Sequence, residues 1–93
     1  MEGLGKYFEQ ACSDIKTYGK DVSNDDKLKL YGLYKQATIG DCNIQKPGML
    51  DPVGRAKWDA WSELKGKSKE DAKKEYVELV LKFIPDNVKA NYI

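Results

Sequence analysis

The segment "SNDDKLKLYGLYKQATIG", Ser23 to Gly40, decides the fold class. Ser23 followed three residues later by Asp26 is a capping-box variant, in which paired side chains meet the orphan backbone donors of a helix start. The helix so begun runs through Thr38 and stops near Gly40. Tyr31 and Lys35 stand at i and i+4, one turn apart on a single face. Tyr34 is displaced toward the next face, beside Leu30 and Ala37. So many large hydrogen-bonding side chains on neighbouring turns either pack a core or meet a ligand, and spacing leaves both open for Tyr34.

The same punctuation predicts three further helices. One spans Leu4 to Tyr18, with Phe8, Cys12 and Ile15 at i, i+4, i+7, and ends before Gly19. Another opens at Asp51 as cap with Pro52 in the first helical position, and continues to just before Gly66. The last opens at Ser68 and Asp71 and runs to about Ile84, where Pro85 discourages continuation. Its stripe is Tyr76, Val80 and Phe83, broadened by Val77, Leu81 and Ile84. Matching this stripe to Phe8, Cys12 and Ile15 predicts that the first and last helices form the main core seam. "DNVKANYI", from Asp86, reads as a frayed segment or a last irregular turn. No run alternates with period two, so the chain reads as all-α.

Composition narrows the function. The chain has 93 residues, the size of one domain (1–93), with a core over about 4–84 and a tail over 85–93. Sixteen lysines and arginines balance 15 acids for a net charge of +1, which gives no nucleic-acid footprint. The sequence holds no histidine, which removes imidazole bases, histidine-dependent triads and His-ligated zinc. Cys12 and Cys42 are far apart and read as reduced thiols, neither with an activating partner, so a consuming enzyme is disfavoured. "MEGLGKYFEQ" lacks a signal-peptide core and "YVELVLKFI" is too short and too charged to span a membrane, so a cytoplasmic location is expected.

Lys57 stands beside Trp58 and three residues before Trp61 on the third helix, with Tyr76 on the fourth and Lys16 on the first. Bundling the helices brings three lysines and three tyrosines toward one mouth, a set suited to phosphate and to a stacked base. The competing reading makes the lysines solvated, the tryptophans packing residues and Tyr76 and Tyr34 core.

At "YGLYKQATIGD", "KPGMLD", "RAKWDAW" and "SKEDAKKEYV" the sequence resembles the acyl-CoA-binding protein family, over about Phe8 to Ile84 and most specifically from Leu28 to Trp61. The resemblance implies a four-helix bundle of up-down-down-up connectivity, with "GDCNIQKPGML" as the long loop between helices 2 and 3. It implies non-catalytic binding of medium- and long-chain acyl-CoA, with the protein as intracellular carrier and pool former. Tyr31, Lys35 and Lys57 match the positions holding the ribose 3′-phosphate region, and Tyr34 lies close to the adenine. Lys16 and Tyr76 match further headgroup contacts. Phe8 and Cys12 fall where the family places residues beside the nucleotide and in the seam of helices 1 and 4, with cysteine where a small alanine is common. Met49 and Leu50 are weaker candidates for acyl-chain contact. No cofactor or metal is implied. Partners are acyl-CoA-consuming enzymes and, transiently, membranes, and the protein is expected to be a monomer. The alternative is an acyl-CoA-sensing recruitment module within a larger or membrane-anchored polypeptide.

Overall fold

Three side chains start three of the helices in the computed structural model, which describes residues 3–92. Ser23 accepts from the Asp26 N–H at 3.2 Å, Asp51 from the Gly54 N–H at 2.9 Å, and Ser68 from the Asp71 N–H at 3.0 Å. Each bond satisfies a donor that a helix start leaves without a partner. The helices are α1 (Leu4–Tyr18), α2 (Asn24–Thr38), α3 (Pro52–Ser62), α4 (Lys69–Val80) and a short α5 (Asp86–Lys89) that leads into a 3-10 turn at Ala90–Tyr92. There are no strands among the described residues. None of the described helices is long and apolar enough to cross a membrane.

Contacts along the helices fix their directions. Tyr31 meets Lys57 and Lys35 meets Trp61, so α2 and α3 run parallel. Gly40 lies against Lys69 while Tyr34 faces Tyr76, so α4 runs against α2. Phe8 meets Lys73 and Cys12 meets Tyr76, so α1 runs with α4, and the result is an up-down-down-up four-helix bundle. Parallel neighbours need a long connection, and the segment from Ile39 to Asp51 supplies it. That loop is fastened at several points. The Trp61 indole donates to the Gly40 carbonyl at 2.8 Å and the Trp58 indole to that of Ile44 at 2.9 Å. Asp41 accepts from the Gly66 N–H and from Gln36, each at 2.9 Å, and these bonds, the Gly66 one foremost, hold its carboxyl below the usual carboxylate range. Both tryptophans are thus structural.

The core is wider than a seam between α1 and α4. Phe8 and Tyr76 meet edge to face at 5.1 Å, and Ala11 and Val80 are fully buried between them. But α2 adds Leu30, Leu33 and Ala37 and packs against both α4 and α3. Cys12 and Ile15 are only half-buried, because they face a cleft. Gly32 of α2 lies against the backbone of α3, where an added Cβ would stand 2.5 Å from the Ala60 carbonyl oxygen.

Three boundaries differ from expectation. α3 ends at Ser62, because Leu64 and Lys65 bond back three residues rather than four, tightening the chain toward Gly66, whose φ is +90°. α4 ends at Val80 for the same reason, as Lys82 and Phe83 bond to Leu79 and Val80. The segment after Pro85 is not frayed. Val88 is buried, Tyr92 packs on Tyr7 at 5.9 Å, and the Tyr92 hydroxyl donates to Asp14 at 2.6 Å. Asp14, itself buried on α1, also accepts from Gln10 at 3.0 Å. Two apolar anchors and one hydrogen bond to a carboxylate outweigh the fraying that a polar, charge-bearing stretch suggests.

Candidate functional site

Tyr31 of α2 is the meeting point of two lysines. The ammonium of Lys35 lies 5.8 Å from its ring centroid and that of Lys57, from α3, lies 5.4 Å away. Lys35 is also 5.7 Å from the Trp61 ring. Each cation–π contact at such exposure contributes about 0.5–1 kcal/mol, enough to hold a long side chain in place. Two like charges gathered on one ring create a positive patch that an anion relieves.

Tyr31 also lines a cleft of about 990 Å³ between α1, α2 and α4. Phe8, Tyr34 and Tyr76 form its aromatic wall. Phe8 and Tyr34 are near parallel at 5.9 Å, and Tyr34 and Tyr76 are 6.3 Å apart. Tyr34 is 43% exposed, so it belongs to the wall and not to the core. Tyr76 is buried, both core and floor, and burial followed by the neighbouring Cys12 thiol drives its hydroxyl pKa well upward. Burial likewise pushes the Cys12 thiol up, against the opposing pull of the Tyr76 hydroxyl and Lys16.

Of the residues expected from the sequence, Phe8, Cys12, Lys16, Tyr31, Tyr34 and Tyr76 all line this cleft. Lys35 and Lys57 stand at its rim through Tyr31. Met49 and Leu50 are not brought there; they are 85% and 100% exposed on the loop. The sequence reading missed Lys27, Lys69 and Lys73, which line the cleft, with Lys73 held 6.0 Å from the Phe8 ring. The signal was present. Lys69, Lys73 and Tyr76 fall at i, i+4, i+7, the same one-face spacing that singled out Tyr31 and Lys35. No group of three His, Cys, Asp or Glu side chains is placed to hold a metal among the described residues.

A cleft of this size with aromatic walls and a lysine rim defines a class: a helical-bundle binding protein for an anionic ligand that carries a flat ring. Comparison with known proteins is specific. The model of the family described as acyl CoA binding protein matches residues 5–80. Acyl-CoA-binding domain-containing protein 3 of Oryza sativa subsp. japonica is 52% identical over 75 residues, covering 81% of this chain and 48% of the rice protein. The chain thus spans about half the length of that relative. Acyl-CoA-binding protein homolog 1 of Caenorhabditis elegans is 52% identical over 77 residues, covering 83% of this chain and 90% of the worm protein. The crystal structure of Oryza sativa acyl-CoA-binding protein 2 matches with a TM-score of 0.84 at 45% identity, over 88% of this chain and 89% of that one. This chain belongs to the acyl-CoA-binding protein family.

Proposed function

We propose that the protein binds medium- and long-chain acyl-CoA thioesters without transforming them, and serves as a carrier and pool former that hands them to consuming enzymes and, transiently, to membranes. The observation that carries this reading is the convergence of Lys35 and Lys57 on Tyr31 at the edge of an aromatic cleft. Together they would hold a ribose phosphate. Tyr34, Tyr76, Phe8 and Cys12 would enclose the adenine, and Lys16 would reach a further phosphate. Met49 and Leu50, outside the cleft, would meet only the emerging end of a long chain. No cofactor or metal takes part. The absence of histidine from the sequence and the rarity of activated groups fit binding rather than catalysis. The protein acts as a monomer in the cytoplasm. A second reading follows from the rice relative's greater length: the same domain as a recruitment module of a larger polypeptide. The size of the natural gene product separates the two.

The energetics favour tight binding. A charge-assisted hydrogen bond to phosphate contributes about 1.5–3 kcal/mol. Stacking of a base adds about 1–3 kcal/mol, and each buried methylene about 0.8 kcal/mol. Calorimetric titration of Lys35→Ala and Lys57→Ala should show acyl-CoA affinity lowered by about ten- to a hundredfold, with unchanged helicity. Normal affinity in both folded variants would remove the phosphate assignment. Equal affinity for free CoA and palmitoyl-CoA would remove the acyl chain from the reading.

A further inference from the structure

The net charge of +1 conceals a segregation. The cleft carries four lysines (Lys16, Lys27, Lys69 and Lys73) against one carboxylate, Glu9. On the other side of α2 lies a second groove of about 750 Å³, whose charges are reversed: Asp25, Asp59, Glu63 and Glu75 against Lys29. Its floor is apolar, made by Leu28 and Leu33 of α2 and by Ala56, Ala60 and Leu64 on and just beyond α3. The two concavities share no lining residue. At about 100° per residue, Asp25, Leu28, Lys29 and Leu33 centre about half a turn away from Lys27, Leu30, Tyr34 and Thr38. One helix therefore presents its two faces to two different surfaces.

We infer that this back groove is a docking face for a basic amphipathic helix of a partner protein. The groove is concave with an apolar floor, as helix-in-groove recognition requires. Ala56, Ala60 and Leu64 recur every four residues, and the two alanines let a partner helix approach closely before meeting Leu64. The rim selects the sign of the partner. Asp59 is held by Lys46 at 3.2 Å, an exposed pair that an incoming cation displaces at little cost, and Glu75 by Lys67, a half-buried pair. Asp25 and Glu63 have no ion pair among the described residues. An anionic lipid surface is repelled by these carboxylates, which argues for a protein partner. Docking here leaves the cleft open, so a bound partner and a bound ligand are compatible. The inference goes beyond the carrier reading and stands without it, because it uses none of the cleft residues.

The test uses the full chain, isotopically labelled, and a synthetic helical peptide with leucines on one face flanked by lysine and arginine. A peptide with glutamate in place of the basic residues is the control. The basic peptide should bind saturably and shift the amide signals of Leu28, Ala60, Glu63 and Leu64, whereas the acidic peptide should not. The Asp25→Lys, Glu63→Lys double variant should weaken peptide binding about tenfold, and Lys29→Glu should strengthen it, since rim charges act in proportion to their sign. Palmitoyl-CoA affinity, measured on the same samples, should stay within about twofold in both variants, which separates failure here from failure of the ligand reading. Shifts confined to the cleft would overturn the proposal. So would equal binding of the acidic peptide, variants that move affinity in the same direction, or signal changes explained by self-association.

Discussion

Replacing Tyr92 by phenylalanine removes one oxygen atom and little else. The ring remains to pack on Tyr7, and Val88 keeps its place in the core. What is lost is the 2.6 Å bond to Asp14, a buried carboxylate left with Gln10 as its remaining donor. A hydrogen bond to a charged acceptor contributes about 1.5–3 kcal/mol, and part of that is recovered if water reaches the position beside the partly buried Tyr92 ring, so a loss of about 1–2 kcal/mol is expected. For a domain of this size each 1 kcal/mol moves Tm by about 4–8 °C, which places the drop at roughly 5–15 °C. Thermal unfolding followed by far-ultraviolet circular dichroism, alone and in a cycle with Asp14→Asn, measures both the loss and the coupling between the two groups. A Tyr92→Phe protein melting with the parent would refute the reasoning, because the hydroxyl would then be as well satisfied by water as by Asp14.

Stability should also fall in alkali. Burial raises the pKa of both Tyr76 and Tyr92, next through Cys12 for the one and through Asp14 for the other, so the folded state keeps protons that the unfolded chain releases. The stabilisation is fully present below the unfolded value near about 10 and is lost as pH rises toward the folded values. Urea melts should show it, with Tyr92→Phe giving a shallower decline; a flat profile to about pH 11 would contradict it. Cys12, its thiol pushed up by burial, should react with iodoacetamide more slowly than a free cysteine at neutral pH, and more slowly again with acyl-CoA present. Unaltered alkylation in the presence of ligand would place Cys12 outside the site. Met49→Ser and Leu50→Ser should leave folding stability within about 0.5 kcal/mol, since both side chains are exposed, and should weaken long-chain acyl-CoA but not free CoA. A loss shared by both ligands would argue against a chain contact.

What the sequence revealed was set by local physics. Ser23, Asp51 and Ser68 cap helices where their residue types predict, because a cap needs only its own four-residue neighbourhood. Tyr31 and Lys35 were found on one face for the same reason. Their convergence with Lys57 rested on assuming that the helices bundle, and the family resemblance gave it a role, since no spacing within one helix says which other helix lies beside it. The helix ends after Ser62 and Val80 were misplaced because propensity continues there, while the chain tightens to make a turn. The tail forms the last irregular turn that was one of its two expected forms, but its anchoring was not legible. Tyr92 and Asp14 lie at opposite ends of the chain, and a contact between sites so distant leaves no periodic trace. Met49 and Leu50 came from the family resemblance, and the loop holds both in solvent outside the cleft, a position no local pattern in the sequence gives.

On the phosphate assignment proposed for Lys35 and Lys57, Gly32 bears on how the ligand is selected. Because α2 and α3 touch main chain to main chain at this residue, the distance between the backbones that carry Lys35 and Lys57 is set once the protein has folded. The jaws need not travel to grip. Only the two lysine side chains have freedom left to lose on binding, about 1.5–2 kcal/mol each at most. A missing side chain thus acts as a gauge: on that proposed assignment, it sets the spacing from which the two ammonium groups reach, as a caliper does, rather than letting the helices close like a hand.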